Sequence, residues 1–158
     1  MSANFQECWK LLAANEGGFT VDDGGQTNWG VTETVARANG YTGDMTALPE
    51  STAQSITQSA YWDPWQLGSL PSWAAFQILD YVYNGGPAYK DAQRVCGVMV
   101  DGVPGPQTVA AISAMSPWEF LAKYNSRRLQ YLASLQQPQY ADGRMNRISN
   151  NLLQATFL

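Results

Sequence analysis

The stretch NFQECWKLLAANEGGFTVDDGGQTNWGVT, residues 4–32, holds the transition that decides the fold. Phe5, Cys8, Trp9, Leu12 and Ala13 recur at the spacing of one helical stripe, which predicts a helix over 4–15. Asn4 stands where an N-cap belongs, and Glu7 three residues on completes a capping box. At about 100° per residue, Glu16 falls roughly 20° from Phe5 around the helix. A carboxyl therefore ends the apolar face, with Gly17-Gly18 behind it to stop the helix. From Phe19 to Thr32 the pattern changes to short alternation around Asp23-Gly24-Gly25, the mark of a small hairpin.

Outward from this junction the chain reads as helices. One is expected at Thr32 to Ala38, ending near Asn39-Gly40, and one from Pro49 to Trp62, stopped before Asp63-Pro64. Ser72 to Tyr83 is the most apolar and is expected to cross the core, ending at Asn84-Gly85-Gly86-Pro87. Four more follow at Pro87 to Cys96, Pro106 to Ala114, Pro117 to Leu135 and Gly143 to Leu153, with Gly97 to Gly105 as a loop. No stretch has a linker's composition. The expected architecture is one mainly α domain over 1–158, a helical bundle lobe plus a small N-terminal β-hairpin lobe with a cleft between.

Composition narrows the chemistry. The 158 residues include no histidine, which excludes Ser-His-Asp and Cys-His hydrolysis and the common His-based metal sites. Acid–base work falls to Asp, Glu, Lys, Tyr or Cys, and glycoside hydrolysis is the class that most often needs carboxylates alone. No metal and no cofactor is expected. A net charge of −4 argues against a nucleic-acid partner. Charge is uneven: 9 carboxylates against 2 cations up to Tyr89, then 4 against 7. The basic part suits either an anionic polymer or an ordinary solvated helix face. Cys8 and Cys96 lie on apolar helix faces and read as buried free thiols. Met1 to Lys10 lacks a basic leader and no apolar run is long enough for a membrane span, so synthesis in a bacterial cytoplasm without a signal peptide is expected.

Glu16 is the sharpest candidate. A glutamate on an apolar stripe implies either a desolvated carboxyl with a raised pKa, as a general acid needs, or a frayed helix end that reaches water. Asp22 and Asp23, in the hairpin, can supply a second carboxylate across a cleft. Inverting glycosidases hold the two roughly 6.5–9.5 Å apart with a water between, although Asp-Asp-Gly-Gly is also ordinary turn chemistry. The Thr27 hydroxyl can hold that water, or be a plain strand threonine. Asn84 can bond an N-acetyl group, or simply end its helix. Trp29, Tyr81 and Tyr83 can stack on sugar rings, or be core. Asp101-Gly102 offers too few oxygen ligands for calcium and reads as a turn.

Glu16-Gly17-Gly18, Asp22 and Gly24-Gly25-Gln26-Thr27-Asn28-Trp29-Gly30-Val31-Thr32 together resemble the signature of glycoside hydrolase family 108, which contains N-acetylmuramidases found as phage endolysins and their bacterial relatives. Tyr61-Trp62-Asp63 is similar to a following family element. Asp80 to Gly86, Ala92-Gln93, Gly97 and Val100 to Thr108 resemble its C-terminal peptidoglycan-domain segment. The resemblance divides the single domain into a catalytic segment, 1–86, and a helical segment, 87–158. It implies a lysozyme-like fold, with Glu16 as the essential glutamate, Asp22 as the aspartate before the Gly-Gly turn and Thr27 as the family threonine. The interval from Glu16 to that turn is shorter than the family pattern and Asp23 replaces its proline, which leaves Asp22 and Asp23 both open.

The expected activity is hydrolysis of the bond between N-acetylmuramic acid and N-acetylglucosamine in peptidoglycan, by a monomer reaching the periplasm after holin-type release. Asp23, Trp29, Tyr81 and Asn84 are the expected substrate contacts. The rivals are a lytic transglycosylase and a non-catalytic peptidoglycan-binding module, the latter favoured by the Asp101 to Thr108 block.

Overall fold

A computed structural model describes residues 2–22, 25–156 and 158. Helix α1 spans Phe5–Asn15, and Asn4 caps it by accepting the Gln6 amide at 2.9 Å. That acceptor reaches one residue short of the Glu7 amide that a capping box uses. The helix stops because Glu16 itself turns extended (φ −88°, ψ 134°) while its amide still donates to Leu12 O at 3.1 Å. The two glycines follow the stop rather than cause it.

Next come strands β1 (Thr20–Asp22), β2 (Gly25–Asn28) and β3 (Val31–Thr32), joined as one antiparallel sheet in that order. Thr20 pairs with Thr27 and Asp22 with Gly25, so the expected hairpin is present. The third strand was not expected: two residues carry no periodic signal. It forms because Trp29 (φ 54°) and Gly30 (φ 75°) both adopt left-handed backbone between the paired Asn28 and Val31, the geometry of a type I′ hairpin turn.

The helices follow the sequence expectation to within a few residues: α2 (Glu33–Ala38), α3 (Glu50–Thr57), α4 (Ser72–Tyr83), α5 (Ala88–Cys96), α6 (Pro106–Ala114), α7 (Pro117–Ser134) and α8 (Ala141–Ala155). Helix α3 runs on as a π-helical turn over Gln58–Trp62, placing Trp62 edge-on against Phe5 at 5.3 Å. The described residues thus hold eight α-helices and one small sheet, a mainly α fold.

Helix α4 crosses the core, as its composition predicted, and packs against α1, α5, α7 and α8. One contiguous apolar cluster runs from Phe5 and Trp9 through Phe76 and Leu79 to Phe120 and Tyr124. Helix α8 is pinned onto both α1 and α4 through a single buried residue. Asn151 Oδ1 accepts from Asn15 Nδ2 at 2.6 Å, and its carbonyl accepts from Gln77 Nε2 at 2.9 Å. One turn earlier on the same face stands Arg147, which is thereby delivered to the end of α1.

Both thiols are free. Cys8 is fully buried, and burial pushes it up to about 12; Cys96, expected to be buried, is half-buried and raised to about 11. The Asp101 carboxylate accepts from the Val103 amide at 2.8 Å and from Gln93 Nε2 at 2.6 Å, a turn as expected.

Candidate active site

Glu16 sits at the exit of α1 with its side chain 16% exposed, and its Oε1 accepts from Arg147 Nη2 at 2.5 Å. Arg147 also donates from Nε to Asp80 Oδ1 at 2.8 Å, and Asp80 Oδ2 accepts from Arg128 Nη2 at 2.6 Å. The result is an alternating row, Glu16–Arg147–Asp80–Arg128, that crosses α1, α8, α4 and α7. Asp80 and Arg128 are buried. Burial alone pushes the Asp80 carboxyl up, but the Arg128 and Arg147 guanidiniums outweigh it and hold the group below the usual carboxylate range. Burial works against the Arg147 charge, and Asp80 and Glu16 together more than restore it.

Of the two expectations for Glu16, the shielded carboxyl holds rather than the hydrated one, but the shielding is not by apolar groups alone. The stripe of α1 does lead to it, but a guanidinium from 131 positions away meets it there. The other side of the carboxyl faces the turn between β2 and β3. A methyl group added at Gly30 would lie 2.7 Å from Glu16 Oε2 and 2.7 Å from Tyr83 Cε1. Tyr83 closes this side, its hydroxyl donating to the Trp29 carbonyl at 3.1 Å. Burial raises the Tyr83 phenol, and the Glu16 charge raises it further.

Gly30 is thus required twice, by its positive φ and by contact. Gly30→Ala is expected to cost about 1–3 kcal/mol of stability. It should also lower activity at least tenfold by displacing the glutamate. Thermal melts paired with initial rates check this, and a variant active at the native rate would mean the carboxyl tolerates displacement.

The other candidates separate clearly. Thr27 is half-buried in β2, opposite Thr20 and Thr32. Strand alternation puts it on the sheet face away from Asn28, which is buried and donates to Met45 O at 2.8 Å. Asp22 is placed in β1, paired with Gly25; its side chain and the whole of Asp23 lie outside the described residues, so the choice between the two aspartates is carried by sequence alone. Trp29 is half-buried, its indole N–H donating to Leu48 O at 3.1 Å from within the left-handed turn. Tyr81 is 1% exposed, its hydroxyl donating to Asp91 Oδ2 at 3.1 Å and its ring lying 4.9 Å under the Arg128 guanidinium. It belongs to the core and cannot stack on a sugar. Asn84 ends α4, donating to the Asp80 carbonyl at 2.7 Å, and also lines an open cavity of about 400 Å³ with Tyr140, Arg144 and Arg147.

Sequence reasoning missed Asp80, Arg128, Arg147 and Gly30. Asp80 carried a usable signal, because a carboxylate inside the most apolar helix demands a buried cation. The arginines carried none.

Residues 9–86 match the family model described as Glycosyl hydrolase 108. This segment belongs to glycosyl hydrolase family 108. It contains Glu16, Asp22, Thr27, Gly30, Asp80 and Tyr83, whereas Arg128 and Arg147 come from beyond it. A solved structure of Brucella abortus SagA is 28% identical, covering 96% of this chain and 93% of that one with a TM-score of 0.85. No curated protein matches the chain. The chain has a mainly α, lysozyme-like fold, and its residues 9–86 carry the glycosyl hydrolase 108 pattern. Among the described residues, no group of three or more His, Cys, Asp or Glu is placed to hold a metal, and no helix is long and apolar enough to cross a membrane.

Proposed function

We propose that this family 108 hydrolase is an N-acetylmuramidase that cleaves the bond between N-acetylmuramic acid and N-acetylglucosamine, with Glu16 as general acid. The observation that carries the reading is the placement of Glu16: a largely shielded carboxyl at a helix exit, clamped between Arg147 and the Gly30 turn. A proton on Glu16 passes to the glycosidic oxygen as the bond from that oxygen to the anomeric carbon breaks. Water adds its oxygen to that carbon from the opposite face and gives up a proton to the second carboxylate. Asp22 takes that second role, or supports the developing oxocarbenium charge, and Thr27 positions the water.

Inversion is the proposed outcome, since the two carboxylates lie on separate elements, the end of α1 and β1. A monomer made in the cytoplasm and released to the wall by a holin, as a phage lysis enzyme, is the biological setting this reading implies.

Digestion of purified sacculi followed by mass spectrometry tests the reaction. Hydrated muramic reducing ends are the expected products. Anhydromuramic ends would instead make the enzyme a lytic transglycosylase, and sacculus binding with no soluble fragments would make it a wall-binding module.

A further inference from the structure

Arg147 also lines a second and more enclosed cavity of about 110 Å³ between α4, α7 and α8. Three guanidiniums line it: Arg128, Arg144 and Arg147. Arg128 has a side chain only 3% exposed, and while Nη2 binds Asp80, its Nε and Nη1 are buried with no hydrogen-bond partner among the described residues. Arg144 is half-buried, and its Nη2 donates to the neutral Gln137 Oε1 at 2.6 Å. The carboxylates facing this group from neighbouring helices are Asp80, shared by Arg128 and Arg147, and Glu16, bound to Arg147. Three cations against two carboxylates leave one positive charge uncompensated, together with two buried donors lacking an acceptor. Those two nitrogens are shielded from the cavity surface, so Arg128 attracts an anion there by its charge. A planar anion with two oxygens satisfies guanidiniums far better than a sugar hydroxyl or an acetamido group does.

We propose that the Arg128–Arg144–Arg147 cavity is a carboxylate subsite that receives a free carboxylate of the peptide stem carried by muramic acid. The proposal rests on the muramidase reading above. Its volume suits a carboxylate and a few waters, at roughly 30 Å³ of liquid volume per water. The outer cavity of about 400 Å³ adjoins it, sharing Asn84, Arg144 and Arg147. Position favours the stem as the source. Arg147 both binds the acid Glu16 and lines the subsite, so one residue adjoins the two. The muramic residue that presents the scissile bond to Glu16 carries its peptide two ring carbons away. The enzyme thereby prefers peptide-bearing glycan to bare glycan.

Two linked measurements test this. In calorimetry, the dipeptide L-alanyl-D-glutamate should bind the wild-type protein, and its fully amidated form should bind about tenfold more weakly or not at all. Arg144→Gln should weaken the dipeptide by about the same factor. In kinetics, wild-type kcat/KM should be about tenfold higher on intact sacculi than on glycan strands stripped of peptide by an amidase, and Arg144→Gln should shrink that ratio. Equal rates on both substrates with no dipeptide binding would overturn the subsite and leave the muramidase reading standing. Dipeptide binding without any substrate preference would overturn the stem assignment in favour of a site for free small carboxylates. Failure to cleave either substrate would overturn the reading beneath it. The wild-type comparisons stand even if the Arg144 variant does not fold.

Discussion

Glu16→Gln is expected to lower the rate of release of reducing ends from peptidoglycan by about a thousandfold, the middle of the range that a positioned general acid contributes. The amide has the shape of the acid and none of its proton-donating power. Its oxygen still accepts from Arg147, and Arg147 keeps Asp80, so the row of charges loses one end only. The Glu16–Arg147 pair is partly exposed, and losing its charge costs about 1 kcal/mol or less, a drop of a few degrees in Tm for a chain of this size. A reducing-sugar assay with a thermal melt on the same sample separates chemistry from folding. Turnover near the wild-type rate in a folded Glu16→Gln protein would remove Glu16 from the reaction.

Asp80→Asn should do the reverse, striking the fold first. Asp80 is fully buried and accepts from two guanidiniums, Arg128 at 2.6 Å and Arg147 at 2.6 and 2.8 Å. An amide of the same shape leaves the buried Arg128 without a charge to face and Arg147 with Glu16 alone. Breaking a buried pair from one side costs about 3–5 kcal/mol, or roughly 10 °C in Tm. Arg147 also loses the partner that aims it at Glu16, so activity falls in whatever fraction remains folded.

The same residue sets an acid limit. Its folded pKa lies below the ordinary carboxylate value, so the unfolded chain takes up a proton first as pH falls. The stabilising contribution is complete above the unfolded value of about 4 and drains away as pH drops through the folded value. Melting curves from pH 6 down to pH 2 should show wild type losing Tm steeply below about pH 4, with a shallower loss in Asp80→Asn. Parallel slopes for the two proteins would show that Asp80 does not carry the acid sensitivity.

The elements themselves were legible because each has a local cause. The apolar stripe of Phe5, Cys8, Trp9 and Leu12, the proline that opens α6 and the breaker after Tyr83 act within a few residues, and the structure keeps all three. Where the reading failed, the cause was non-local or too short to have a period. Strand β3 is two residues long and exists because a type I′ turn delivers it to β2. Tyr81 was read as a sugar contact, with a place in the core as the alternative. Asp91 and Arg128 hold it in the core.

By itself, the amino-acid sequence determined the helices, the hairpin, the absence of any histidine chemistry and the placing of one carboxyl at the end of an apolar face. Those follow from hydrogen bonding and side-chain periodicity over a few residues, which any short stretch expresses alone. Tertiary structure decided what that carboxyl touches. Arg147 reaches Glu16 only because Asn151 docks α8 against Asn15 and Gln77, and Gly30 reaches it only because a two-residue turn folds back over α1. Charges separated by more than a hundred residues become partners through the packing of helices. That packing is set by the whole core at once, and no local pattern contains it.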